Sequence, residues 1–100
     1  MRSVALVTPD ADPSGRERIT VLCVDDHRIV REGLRMIIDS EPDMMVIDAA
    51  ATGGEAVAGY RRHSPDITLM DLQLPDMGGV DAIRAIRRLD AGARIIVLTM

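Results

Sequence analysis

Three carboxylates and one hydroxyl fall where apolar runs give way to other sequence, and their positions suggest phosphoryl chemistry. Asp25 and Asp26 follow the run Ile19 to Val24, Asp71 closes the run Ile67 to Met70, and Thr99 ends a last run that starts at Arg94. If the runs ending at Asp25 and Asp71 are neighbouring strands, three carboxylates converge on one rim of a sheet, where open α/β sheets bind ligands. Such a cluster repels itself, so it either shares a proton or holds a cation. An all-oxygen set suits a hard ion, Mg2+ in preference to Zn2+. Asp71 can then attack the phosphorus of an incoming phosphoryl group whose oxygens the ion neutralises, giving an aspartyl phosphate. The Thr99 hydroxyl can donate to the same group.

Each residue also has a plainer reading. A lone Asp at a strand end serves as a turn or cap residue, and an Asp-Asp pair before a helix complements its dipole. Only the combination of acidic pair, acidic strand end and Thr strand end in one α/β pattern raises chemistry above capping.

The elements that must position these groups are legible in the periodicity. Met1 to Arg18 carries Pro9, Pro13 and Gly15 without periodicity, as a flexible tail does, and residues 19–100 form the domain. Ile19 to Val24 is too short for a helix and rich in β-branched residues, which predicts a strand buried on both faces. From His27 the period changes to helical, with Val30, Leu34, Ile37 and Ile38 as the apolar stripe, until Pro42. Met44 to Ala50 is a second strand. Thr52 with Glu55 three positions on is the reciprocal capping pattern that opens a helix facing inward with Ala56, Val57 and Tyr60. The strand ending at Asp71 is stopped by Pro75 and Gly78-Gly79. A helix from about Gly79 to Leu89 then presents Val80, Ile83, Ile86 and Leu89, and Arg94 to Thr99 is the last strand. Strands alternating with helices predict right-handed crossovers and a parallel sheet covered on both faces.

Composition bounds the partners. The chain has 100 residues, 47% of them hydrophobic with Tyr60 as its single aromatic, so the core must be aliphatic. Twelve basic residues, all Arg, against sixteen acidic ones give a net charge of -4, with no basic footprint for nucleic acid or anionic membrane. A single cysteine, Cys23, reads as a small buried core residue, against a reactive thiol as the sharper alternative. No signal peptide or membrane span is evident, and a cytoplasmic protein is the inference.

VDDHRIVREGLRMII, then DITLMDLQLPDMGGVDAIRAIR, then RIIVLTM together resemble the receiver domain of two-component response regulators, and the DDH and VREGLR wording resembles the NarL/LuxR branch. The resemblance covers Ile19 to Met100. It implies a doubly wound, flavodoxin/CheY-like parallel sheet with strands ordered 2-1-3-4, incomplete because the fifth strand and last helices are missing. It further implies Asp71 as phosphoacceptor of a sensor histidine kinase. Asp25 and Asp26 are then the Mg2+-binding acidic pair, the Gln73 main-chain carbonyl is a further metal ligand, and Thr99 is the switch hydroxyl. Pro75 and Gly79 match the loop leaving the phosphorylated strand. The domain so implied is a regulatory phosphoacceptor, not an enzyme, and its output is transcription through a DNA-binding domain absent from this chain.

The chain departs from the family in having no lysine, which members carry at the end of the fifth strand, and in stopping at Met100. This favours a fragment of a longer regulator over a natural short form. An uncovered fourth strand, with Ile95, Ile96, Val97 and Leu98, predicts homo-oligomers through that edge. A pseudo-receiver acting as an interaction or dimerisation module is the alternative, separable by Mg2+ binding and its loss in Asp26→Asn. A phosphohydrolase with an aspartate nucleophile is disfavoured because no second Asp stands two positions after a first-strand Asp. Among minor residues, His27 reads as an exposed helix-start imidazole that can also tune a metal site. His63 reads as complementing a helix dipole, and Arg84, Arg87 and Arg88 as a solvated face open to a kinase. Met100 is either a gate to the pocket or a buried strand residue.

Overall fold

Apolar runs rich in β-branched residues form the strands, and the stretches of helical period between them form the helices. The computed structural model describes residues 18–98. They form β1 (Ile19–Val24), α1 (Arg28–Asp39), β2 (Met44–Ala50), α2 (Gly53–His63), β3 (Ile67–Asp71), α3 (Gly79–Leu89) and β4 (Ile95–Leu98). The strands make one parallel four-stranded sheet in the order β2-β1-β3-β4, the order that the family resemblance implies. The expected tail up to residue 17, Thr99 and Met100 lie outside the described residues. β4 starts one residue later than expected, at Ile95.

Alternation along the strands divides the core into two layers. Val21 and Cys23 point to one face, where they pack with Ile38 of α1 and Val46 of β2. Leu22, Val24 and Met70 point to the other, against Ala56 and Tyr60 of α2 and Ala82 and Ile86 of α3. Full burial of Leu22, Met70 and Ile86 contributes about 1.5–3 kcal/mol each. Cys23 is buried in the first layer, and burial pushes its thiol up to about 11, so it is the inert core residue expected.

Three stripe residues depart from expectation. Ile37 is 67% exposed because α1 seats its Leu34 and Ile38 row against β1 and β2, and Ile37 is turned about 100° from Ile38. Val80 is 50% exposed because it lies about 200° around α3 from the buried Ala82. Leu89, the last residue of α3, flanks an open groove beside Tyr60 and Asp90. Ile19, at the start of β1, is also exposed, so burial of that strand begins at Thr20.

Polar ties set the register. The Thr20 amide and hydroxyl both donate to Asp66 Oδ2, at 2.8 and 3.0 Å, and the Asp66 amide donates back to Thr20 Oγ1 at 3.0 Å. This pins the start of β1 to the residue before β3. The capping pattern at α2 forms with one change: Thr52 Oγ1 accepts from the Glu55 amide at 3.1 Å, but Glu55 Oε1 accepts from the Ala51 amide instead of that of Thr52.

Tyr60 links α2 to the end of α3, its hydroxyl donating to Asp90 Oδ2 at 2.7 Å. Burial, then the Asp90 hydrogen bond, push the phenol up to about 12, while the Tyr60 hydroxyl and the Gly92 amide hold Asp90 below the usual carboxylate range. A phenol raised in the folded state stabilises it fully below the unfolded value of about 10 and loses that contribution as pH climbs toward 12. Tyr60→Phe is therefore expected to lower stability at neutral pH and to flatten the alkaline fall. Cys23 contributes to the same fall in both proteins, so the difference between their denaturation curves from pH 8 to about 12 isolates Tyr60. Parallel curves would contradict this.

Candidate acidic site at the carboxyl rim of the sheet

Register carries the carboxylates together. β1 and β3 are adjacent, with Val24 paired to Met70, so the next residues, Asp25 and Asp71, stand side by side at the strand ends. Both continue the alternation of Cys23 and Leu69 and project to the α1 side of the sheet. There they border a cleft of about 450 Å³ that Gln73, Val30, Leu34 and Leu98 also line. One ligand atom from each of Asp25, Asp26, His27 and Asp71 lies within 4.8 Å of all the others. The condition set by the sequence, that the strands ending at Asp25 and Asp71 be neighbours, is met.

Each group is held by its local turn. Asp25 is only 3% exposed, and its Oδ1 accepts from the His27 amide at 2.8 Å and from His27 Nδ1 at 3.0 Å. His27 caps α1 through its extended backbone, without a side-chain cap bond. Its Nδ1 also lies 2.9 Å from Asp26 Oδ1. Carboxylates only accept, so Nδ1 carries the hydrogen. The Asp25 hydrogen bond, then the Asp26 charge, raise the imidazole above its ordinary pKa. His27 is exposed at the helix start as expected and touches both acids as well. Asp71 Oδ1 accepts from the Gln73 amide at 3.0 Å.

Several contacts had no sequence signal. Arg31 Nη1 donates to the Asp25 carbonyl at 2.8 Å, a side-chain to main-chain reach that spacing does not announce. Asp76 accepts from the Gly53 and Gly54 amides at 2.7 and 2.8 Å, across 23 and 22 residues. Gly79, expected where the loop leaving β3 meets the start of α3, also donates its amide to the Leu72 carbonyl at 2.8 Å, and a Cβ there would meet Asp71 and Leu72 backbone. Among the minor residues, His63 lies in the last turn of α2, as expected, and also 3.5 Å from Asp48 Oδ2. Arg84, Arg87 and Arg88 are exposed. Thr99 and Met100, lying outside the described residues, are not placed.

The donor set fits a hard divalent cation. It offers three carboxylates without a thiolate, and the one nitrogen is turned toward the carboxylates as a donor. Such a cleft fits proteins that bind ligands at the carboxyl ends of parallel strands.

Comparison with known proteins gives the family. Residues 21–100 match the sequence profile described as the response regulator receiver domain, and the chain belongs to that family. It is 42% identical over 82 residues to the response regulator UvrY of Escherichia coli, covering 82% of this chain and 38% of UvrY. It is 31% identical over 87 residues to the nitrate/nitrite response regulator NarL of the same organism, covering 87% of this chain and 40% of NarL. The crystal structure of a LuxR-family two-component response regulator from Aurantimonas superposes with a TM-score of 0.79 at 48% identity, covering 84% of this chain and 60% of that one. Its homologues thus include members of the NarL/LuxR branch. The chain spans about two fifths of the length of the curated relatives it matches.

Proposed function

We propose that this receiver domain takes a phosphoryl group from a sensor histidine kinase onto Asp71, with Mg2+ held by Asp25, Asp26, Asp71 and the Gln73 main-chain carbonyl. The observation that supports it is the register that sets Asp25 beside Asp71, with Asp26 in the same 4.8 Å cluster. Bound Mg2+ supplies positive charge against the phosphoryl oxygens. The protein supplies the rest. The Gln73 amide fixes Asp71 Oδ1, which leaves Oδ2 to attack phosphorus. The Asp71 O–P bond forms as the P–N bond of the kinase phosphohistidine breaks, and the departing imidazole takes up a proton. Thr99 is assigned the switch hydroxyl by resemblance. The role is regulatory, and in a longer NarL/LuxR regulator it controls transcription through a DNA-binding output domain. A cytoplasmic setting follows from that role; none of the described helices is long and apolar enough to cross a membrane.

The test is intact mass after incubation with acetyl phosphate. The reading expects one hydroxylamine-labile phosphoryl group in the wild type with Mg2+, none in EDTA and none in Asp71→Asn. Equal uptake by the variant would refute it.

We also propose that the 100-residue chain, alone in solution, pairs with a second copy through β4. Among the described residues β4 is bonded only to β3, and its Ile96 and Val97 are 51% and 41% exposed. An open edge with apolar side chains invites strand addition, and a lysine there opposes it. Concentration-dependent dimers by light scattering, reduced in Ile96→Lys, are expected. A monomer at all concentrations would contradict the proposal.

A further inference from the structure

The segment between Asp71 and α3 carries Gln73, and it is tied to α2 by one side chain. Asp76 Oδ1 accepts from the Gly53 amide at 2.7 Å and from the Met77 amide at 2.9 Å, and Asp76 Oδ2 accepts from the Gly54 amide at 2.8 Å. The Gly53 and Gly54 amides are the first of α2, which have no partner within the helix and carry the positive end of its dipole. The two glycine amides hold the Asp76 carboxyl below the usual carboxylate range, so it is charged at neutral pH. Glycine at 53 leaves room for the Met77 side chain beside the start of α2, since a Cβ there would collide with Met77 Cγ and lie 2.7 Å from its Sδ. A Cβ at Gly54 would stand 3.3 Å from Asp76 Oδ2.

The remaining anchors of this segment are local. Gln73 bonds to Asp71 at its start, and Gly79 bonds back to Leu72 at its end. Leu74 and Met77 pack on the core beneath α2 and α3, but apolar contacts do not set direction. Among the described residues, the hydrogen bonds from residues 72–78 to α2 all pass through Asp76.

We propose that Asp76 is a positioning residue for the acidic site. By clamping the β3–α3 loop onto the first amides of α2, it fixes the Gln73 carbonyl and the Asp71 carboxylate in the orientation cation binding requires. This rests on the reading of Asp25, Asp26, Asp71 and Gln73 as the cation site.

The test compares the wild type with Asp76→Ala, Asp76→Asn and Thr52→Ala, the last removing an α2 cap without touching the loop. Amide 15N relaxation of the metal-free proteins reads loop order, and titration with MgCl2 reads the site. In Asp76→Ala the Gln73 order parameter is expected to fall from about 0.85 to below about 0.6. Its Mg2+ affinity is expected to fall about tenfold, as when a residue orienting a ligand is lost. Asp76→Asn, which keeps one carbonyl acceptor, is expected to recover part of both, and Thr52→Ala to change neither. An ordered Gln73 with unchanged Mg2+ affinity in Asp76→Ala would overturn the positioning role while leaving the cation site standing. Equal losses in Thr52→Ala would reduce Asp76 to a general helix cap and likewise overturn it. A wild type that takes no Mg2+ would overturn the cation reading and the role built on it together.

Discussion

Asp26→Asn is expected to weaken Mg2+ binding by at least about tenfold while the metal-free variant melts no lower than the wild type. The two effects share one cause. Asp25, Asp26 and Asp71 bring like charges within 4.8 Å, an arrangement that opposes folding and that a divalent cation relieves. Asp26 is the member whose removal separates these effects, because it is exposed, and an Asn oxygen can still accept from His27 Nδ1. Asp25 does not offer that separation: it is buried and holds the turn through the His27 amide. Calorimetric titration with Mg2+ and thermal melting in EDTA read the two effects. An unchanged affinity would remove Asp26 from the ligand set, and a much lower melting temperature would make it a structural residue.

Gly79→Ala is expected to destabilise the domain by about 1–3 kcal/mol, the range for forcing a methyl group into filled space. A Cβ on Gly79 would collide with the Asp71 carbonyl oxygen and lie 2.5 Å from Leu72 Cα. Both atoms belong to backbone that cannot rotate away as a side chain can. Alanine is the better helix former by about 1 kcal/mol, so overpacking must exceed that gain for the sign to hold. Gly33→Ala, in the middle of α1 with nothing within 4 Å of its Cβ, isolates the helix preference and is expected to stabilise by up to about 1 kcal/mol. Because Gly79 rests on Asp71 itself, phosphoryl uptake is expected to fall with stability in Gly79→Ala and to persist in Gly33→Ala. Urea denaturation of the two variants checks the signs, and equal stabilisation by both would contradict the close approach.

Where one periodicity governed a whole element, the sequence was enough to read it. β1, β2, β3 and α3 have the bounds expected from apolar runs and their stops, and the paired strand ends bring Asp25, Asp26 and Asp71 together as foreseen. Strand order rests on family resemblance, since alternation alone does not say which strands are neighbours. Ile37 and Val80 stay exposed because their helices carry more apolar residues than the sheet can cover. Contacts that depend on tertiary approach left no trace in spacing. Only the fold brings Asp76 to Gly53 and Gly54, and the Arg31 guanidinium to the Asp25 carbonyl.

The measurement that bears most directly on the proposed function is the location of the phosphoryl group. Borohydride reduces an aspartyl phosphate to homoserine, so treating the acetyl phosphate-labelled protein with it and sequencing the peptides by mass spectrometry marks the acceptor. The account predicts homoserine at residue 71, formed only when Mg2+ is present. Homoserine at another acid, or at residue 71 to the same extent in EDTA, would contradict it.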